Sequence, residues 1–402
     1  MKKLLLILLP LFLLFIIPSA TAVPKEAANC QVSLVTIGPG EELYSIFGHS
    51  AILVRDTVRG EEKVYNYGTF DFYEPDFYSQ FIHGDLTYYL SVVCSRCVEN
   101  TTEHEGRSYV ETPLNFTEQE TSQLLEFLDW NARPENRDYT YDFQYDNCSS
   151  RILQIFLKHA NASLNVPSSL YPKGTFRQMI NPYLKDRPWV HVGIDFLLGS
   201  RVDREADFPQ ASFLPDDLHL ILKNSRISRN GETTPLAGED IKVLGSSIHH
   251  ATAPITPTMV FWFVFILSVI ALLISIFRSD RFLVIYGTVL MSLYGLLSLL
   301  LIFLWFGTKQ DVFSFNTDLL WINPLLLPLV FIRKRNAPKW GKWLLLVTGL
   351  MVMAGVFTTW LVEGNTDLTA LALALSVFMG FLIWKNRGMK IFKKAGIQSS
   401  SN

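Results

Sequence analysis

An excess of charge of either sign is missing from this chain. Its 402 residues carry 35 Lys and Arg against 37 Asp and Glu, a net charge of -2. That removes any global case for a nucleic-acid partner. Charge is also missing from the middle of every long apolar run in the C-terminal part. Transporters and pumps need ionisable groups there, so these runs read as an anchor or a lipid-facing platform. Cysteine is scarce, with four residues at 30, 94, 97 and 148. None closely follows the N-terminal apolar run, so the chain does not read as a lipoprotein itself. Cys94 and Cys97 form a C-x-x-C with no second ligand pair and only His104 nearby, which argues against a zinc knuckle. The pair also lacks a βαβ setting, which argues against a thioredoxin-like role. Internal repeats and low-complexity tracts are absent.

What is present divides in two. With 49% hydrophobic and 18% charged residues, the chain is too apolar for a soluble protein and too polar for a wholly embedded one. MKKLLLILLPLFLLFIIPSATAVP has a basic start, an apolar run and a small-residue site. It reads as a secretory signal peptide over 1–22, with an uncleaved anchor helix as the alternative. Residues 23–242 read as an exported domain and 243–257 as a linker, in which His249 and His250 are solvated rather than metal-binding. Five membrane spans are expected over 258–385: Thr258–Phe277, Phe282–Phe306, Asp318–Ile332, Trp343–Val362 and Leu368–Trp384. The third is short and holds Pro324 and Pro328. Arg278 and Arg281, Arg333–Lys342 and the basic tail 386–402 alternate with neutral or acidic loops. Positive charge stays on the cytoplasmic side, so the chain reads as a multi-pass cytoplasmic (inner) membrane protein. The exported domain then faces the periplasm or cell exterior, as the signal peptide independently implies.

In the exported domain, strands are expected at Gln31–Ile37, Ala51–Val54, Lys63–Tyr67, Leu86–Val93 and Arg107–Leu114. Helices are expected at Pro75–Phe81, from a Thr117/Glu120 capping box to Asn131, at Cys148–Ala160, and near Thr175–Leu184 and Pro215–Lys223. This is an α+β domain with an antiparallel sheet. A disulfide within the C-x-x-C, or from it to Cys30, leaves Cys148 as the thiol. A helix N-terminus stabilises its thiolate. Of the six histidines before the linker, His159 lies three turns along the same helix, and His49 enters a strand behind Gly48. A histidine so placed against a cysteine helix is the papain arrangement, with the chain order of a circularly permuted form. If Lys63–Tyr67 pairs back on Ala51–Val54, Asn66 comes near His49 and orients the imidazole. Asp71 is the other candidate for that third role. Backbone N–H groups at Cys148 and Ser149 would form part of an oxyanion hole.

GPGEELYSIFGHSAILVRD, VYNYGTFDFYEPDFYSQFIHGDLTYYLSV and YTYDFQYDNCSSRI, with LLGSRVDREAD and FLPDDL later, resemble the Bacteroides-type lipoprotein N-acyltransferase (Lnb) family. The likeness runs from Gln31 to Lys223, and the spans that follow match the family's layout. It implies a circularly permuted papain-like (NlpC-type) domain followed by an all-α transmembrane bundle. It implies that Cys148 takes an acyl chain from a membrane phospholipid as a thioester, with His49 as base and then acid. The amine of a diacylglyceryl-cysteine on an apolipoprotein is the implied acceptor. Tyr65, Tyr67, Asp71 and Asn147 lie within the matching motifs as candidates for substrate contact. No metal and no cofactor is expected. The aromatics Phe70, Phe72, Tyr73, Phe77, Tyr78 and Phe81 line either a core or an acyl groove. Two other functions share these features: a cell-wall cysteine peptidase or amidase, and a membrane-tethered binding domain without catalysis.

Overall fold

A computed structural model describes residues 29–159, 164–165, 174–229, 231–249, 253–331 and 338–387. The expected signal peptide, His250 and the basic tail beyond residue 387 lie outside the described residues.

The first part of the chain builds β1 (Cys30–Ile37), β2 (His49–Asp56), β3 (Glu62–Thr69), α1 (Phe77–His83), β4 (Thr87–Cys94), α2 (Ser95–His104), β5 (Tyr109–Pro113), α3 (Glu118–Asn131), β6 (Asp138–Thr140) and α4 (Cys148–His159). There follow β7 (Leu164–Asn165), α5 (Phe176–Leu184), α6 (Pro188–Leu197), α7 (Pro215–Asn224), β8 (Arg226–Arg229), β9 (Glu232–Pro235) and β10 (Ile241–Leu244). Seven strands form one sheet in the order β10-β5-β1-β2-β3-β4-β6, all neighbours antiparallel. Strands β7 to β9 form a small second sheet. The sheet thus extends past the expected boundary at 242, because β10 closes its edge against β5.

The central strands are buried on both faces, which is why β1 reads as a nearly continuous apolar run. Val32, Leu34, Ile52, Val54, Tyr65 and Tyr67 pack under α3, α4 and α7 with Ile152, Leu153 and Phe156. On the other face Val35, Ile37, Ala51, Leu53 and Val64 meet Val98 of α2. The α3 capping box at Thr117 and Glu120 forms as the spacing requires. Two helices escape the sequence reading. Helix α2 starts within the C-x-x-C, with Cys94 as its N-cap and Cys97 in its first turn, and the two cysteines are joined to each other. Helix α6 packs Val192, Phe196 and Leu197 against the membrane part; it is short and mostly apolar, with His191 and Asp195 alone marking a polar side.

The C-terminal part holds α8 (Pro257–Phe277), α9 (Arg281–Gly307), α10 (Leu326–Leu329), α11 (Lys339–Phe357) and α12 (Thr366–Arg387). Among the described residues, four helices are long and apolar enough to cross a membrane: α8, α9, α11 with its extension to Val362, and α12. The expected third span, Asp318–Ile332, is not one continuous helix. It is a 3-10 turn at Thr317–Leu320 and the single turn of α10, interrupted by Pro324, and Ile332 lies outside the described residues. Proline cannot donate within a helix, so a continuous span fails here. Yet the chain still returns across the bundle in this segment. Trp321 lies against Gly355 near the end of α11, and Leu327 against Gly295 at the middle of α9. Trp321, Ile322 and Leu326 are fully buried, so protein rather than lipid surrounds this irregular backbone.

The two parts are joined through α6 and the segment after α9. The Asn316 side-chain amide donates to the carbonyl oxygens of Phe196, Leu197 and Leu198, satisfying the C-terminal end of α6. Arg177 bridges Asp195 and Asp203, and Asn365 donates to Asp195 from the turn before α12.

A buried ionic knot ties the sheet. Glu111 on β5 is almost fully buried and accepts from both terminal nitrogens of Arg55 on β2, each at 3.0 Å, and from Ser33 on β1 at 2.8 Å. Arg55→Met leaves that carboxylate without its cation and lowers stability by about 2 kcal/mol. The Arg55→Met/Glu111→Leu double variant recovers part of the loss. Thermal unfolding of the full chain in detergent reads both.

Candidate active site

Three side chains from distant points of the chain meet at one end of the sheet. His49 is the first residue of β2, opposite Ile37 of β1. The turn before it needs glycine: Gly48 has φ +81°, and a Cβ there would lie 2.7 Å from the Ile37 carbonyl oxygen. Asn66 lies on β3, which pairs with β2 through Ile52↔Tyr65. That register carries Asn66 to the His49 end. The imidazole Nε2–H donates to Asn66 Oδ1 at 2.5 Å, which leaves Nδ1 as the ring nitrogen open to Cys148, whose charge acts on His49. Asn66 is held in turn by Thr69, to whose hydroxyl its amide donates at 3.3 Å, and Thr69 is held by Ser91 at 2.7 Å.

Cys148 opens α4, and its neighbours fix it there. Asn147 Oδ1 accepts from the backbone N–H of Ser149 and Ser150, each at 2.9 Å, while its amide donates to Phe143 and Phe213 carbonyl oxygens. This is an N-cap that also locks the preceding turn. The Ser50 and Ser149 hydroxyls meet at 3.0 Å, pinning the start of β2 to the start of α4. The Ser149 hydroxyl lies 3.8 Å from the sulfur, and the Ser50 backbone N–H also favours the thiolate.

The electrostatics favour a thiolate. Burial alone pushes the Cys148 thiol up. The charge and hydrogen bond of His49, with the Ser50 and Ser149 donors, outweigh it and bring the thiol down to about 7. Burial likewise presses His49 down, but Cys148 and the Asn66 carbonyl raise it above its ordinary value. The two shifts are one effect, a thiolate and an imidazolium stabilising each other.

Other residues singled out from the sequence fall elsewhere. The Tyr65 hydroxyl donates to Asp129 at 2.9 Å and the Tyr67 hydroxyl to Asn131 at 2.6 Å, both on α3. With Asn147 engaged in the helix cap, the polar atoms of these three all have partners within the domain. Asp71 is exposed and accepts from the Tyr73 N–H, stabilising a turn. Of the two candidates for the third role, only Asn66 reaches His49. The Ser149 N–H expected in an oxyanion hole is taken by Asn147. His159 stacks on Phe127 at 3.8 Å, away from the sulfur.

A residue that spacing did not reveal stands at the site instead. A Cβ on Gly68 would lie 3.9 Å from His49 Cε1 and 4.0 Å from both Cys148 Cβ and the Tyr139 hydroxyl. Gly68, with φ +90°, therefore leaves open the point where the three converge. The Tyr139 hydroxyl is buried and has no hydrogen-bond partner among the described residues. Its ring is held by the Arg151 guanidinium, 3.7 Å above it, and Arg151 is anchored by Asp146. Tyr139 lies nine residues before Cys148, on an edge strand of three residues, and no periodicity marks it.

These features define a membrane-anchored protein whose antiparallel α+β domain carries a cysteine–histidine–asparagine cluster. Residues 25–181 match the family model of the Lnb N-terminal periplasmic domain, and residues 249–387 match that of the Lnb transmembrane domain. The chain belongs to the Lnb family. It is an inner-membrane protein with a periplasmic N-terminal domain. No curated protein and no solved structure matches it significantly.

The ion pair sets a pH dependence. Iodoacetamide alkylation of Cys148 in the full chain rises through about pH 7, where the thiol ionises. In His49→Ala the midpoint moves up, past the ordinary thiol value of about 8.5. The rate at pH 7 falls at least about tenfold, because the largest contributions opposing burial are then gone. Asn66→Ala produces a smaller change in the same direction.

Proposed function

We propose that this protein is a lipoprotein N-acyltransferase that works through a thioester on Cys148, in a circularly permuted papain-like domain. Membership of the Lnb family supports the reading, and the observation that carries it is the Cys148–His49–Asn66 cluster with its lowered thiol. The Cys148 thiolate attacks an ester carbonyl carbon of a membrane phospholipid. The C–S bond forms, the C–O bond breaks, and the departing lysolipid oxygen takes the proton from His49. His49, now neutral, accepts a proton from the α-amino group of a diacylglyceryl-cysteine as that nitrogen attacks the thioester. The N–C bond forms, the C–S bond breaks, and the thiolate and imidazolium are restored. The unpartnered Tyr139 hydroxyl borders the same open point at Gly68 as Cys148 and serves as the donor for the carbonyl oxygen as it gains charge in each step. Asn66 keeps Nδ1 turned to the sulfur throughout. Both substrates are anchored in the outer leaflet, so a domain fixed on the bundle meets them without either leaving the bilayer. No metal or cofactor enters this sequence of steps.

The reading is tested with purified full-length protein and a phospholipid labelled in its acyl chain. Wild type gains a label on Cys148 that neutral hydroxylamine removes, and Cys148→Ala gains none. In cells lacking the protein, wild type restores the third acyl chain on lipoprotein N-termini, measured by mass spectrometry. His49→Ala restores it about 10²- to 10⁴-fold more slowly, and Tyr139→Phe about tenfold or more slowly. Full restoration by Cys148→Ala, or release of cell-wall peptides with no acyl label, rejects the reading.

A further inference from the structure

Helix α1 and the turn before it carry apolar side chains that no element covers. Tyr73 is 95% exposed, Tyr78 78%, Phe72 60%, Phe81 59% and Ile82 50%. A contiguous patch of this kind on a water-facing surface marks a binding face. Its position says what it binds. The end of α1 is fastened to the outer end of α9: the Lys309 N–H donates to the His83 carbonyl oxygen at 2.9 Å, Lys309 Nζ lies 2.6 Å from an Asp85 oxygen, and the His83 ring meets Phe303 edge-on at 5.8 Å. Gly84 lies so close under Gln310 that a Cβ there would stand 2.7 Å from its Cγ. Phe303 and Phe306 at that end of α9 are themselves exposed. The α1 patch is therefore continuous with the lipid-facing surface of a membrane-crossing helix.

The patch is also continuous with the candidate active site. Phe77 stacks against Phe70 at 6.1 Å, Phe70 meets Tyr88 at 5.3 Å, and Tyr88 stacks on Tyr141 at 4.6 Å and reaches Tyr139 at 6.5 Å. Tyr139 and Tyr141 both lie within the electrostatic reach of Cys148. An unbroken aromatic wall thus leads from the end of a membrane-spanning helix to the sulfur. Asp71, Glu74 and Asp76 lie in the turn at its border.

We propose that α1 and its preceding turn insert into the outer leaflet and serve as the entry path by which one acyl chain of a phospholipid passes along this wall to Cys148. The acyl-chain part of the proposal rests on the acyl-transfer reading, whereas the insertion does not. The test uses the full chain in nanodiscs of zwitterionic phosphatidylcholine containing a phospholipid with a diazirine at the end of one acyl chain. After irradiation, peptides spanning 70–82 carry the lipid label, and the peptide around Val58, also exposed but at the β2–β3 turn, carries none. Label confined to the membrane helices, or protein crosslinks in place of lipid on 70–82, overturns the proposal. The Tyr78→Asp/Phe81→Asp variant changes two exposed side chains. It lowers acylation of Cys148 from nanodisc phospholipid by at least about tenfold while leaving the rate of iodoacetamide alkylation unchanged. Unchanged acylation in that variant overturns the entry path. If wild-type Cys148 takes up no acyl chain although 70–82 is labelled, the acyl-transfer reading and the entry path fall and the insertion stands.

Discussion

A sulfur buried away from water holds a negative charge only when a positive one is fixed beside it, and the geometry of this domain is organised around that condition. Desolvation opposes the Cys148 thiolate more than any single favourable contact supports it. What reverses the balance is His49, delivered by β2 and held by Asn66 from β3. The sheet register, the Gly48 turn, the Ser50–Ser149 pin and the Asn147 cap all bear on the placement of two atoms. Because these supports come from separate segments, no one of them forms the pair without the folded sheet. Local sequence supplies the side chains, and long-range pairing supplies the chemistry.

The second constraint is distance from the membrane. The domain is not hung on a flexible tether alone. Helix α6 lies in contact with the bundle, with Val192 inside the bundle core, and Asn316 binds the carbonyl end of that helix. Polar contacts from Arg177, Asp195 and Asn365 complete the junction. The same segment that makes these contacts descends into the bundle as broken turns, so the irregular crossing and the docking of the domain share one stretch of chain. A straight helix would cross as well, but it would not present its polar groups sideways to α6.

Much of this was legible beforehand. The antiparallel α+β domain, its main strands, the α3 capping box and the helix opened by Cys148 follow from alternation and capping chemistry. The approach of His49, Asn66 and Cys148 was reached by asking where a hairpin would carry Asn66. What escaped detection did so for identifiable reasons. Helix α6 is short and mostly apolar, and only His191 and Asp195 mark its polar side, so the periodic signal is weak. The third crossing, short and marked by Pro324 and Pro328 in the sequence, is broken turns rather than one helix, which apolar length alone does not tell. Tyr65, Tyr67 and Asn147 lie in the right motifs, yet their polar atoms turn to α3 and the helix cap. Tyr139 matters through proximity alone, which a one-dimensional pattern does not encode.

Strand β3 has a different sulfur chemistry near each end. Cys94 of the Cys94–Cys97 bridge is paired with Lys63 at one end, while Gly68 at the other lies against Cys148. Five residues of extended chain separate these points by roughly 17 Å, and thiol–disulfide exchange requires the sulfurs to touch. The domain therefore holds an oxidised pair and a free thiol in one fold. Rigid spacing along a single strand keeps the Cys148 sulfur out of reach of the bridge.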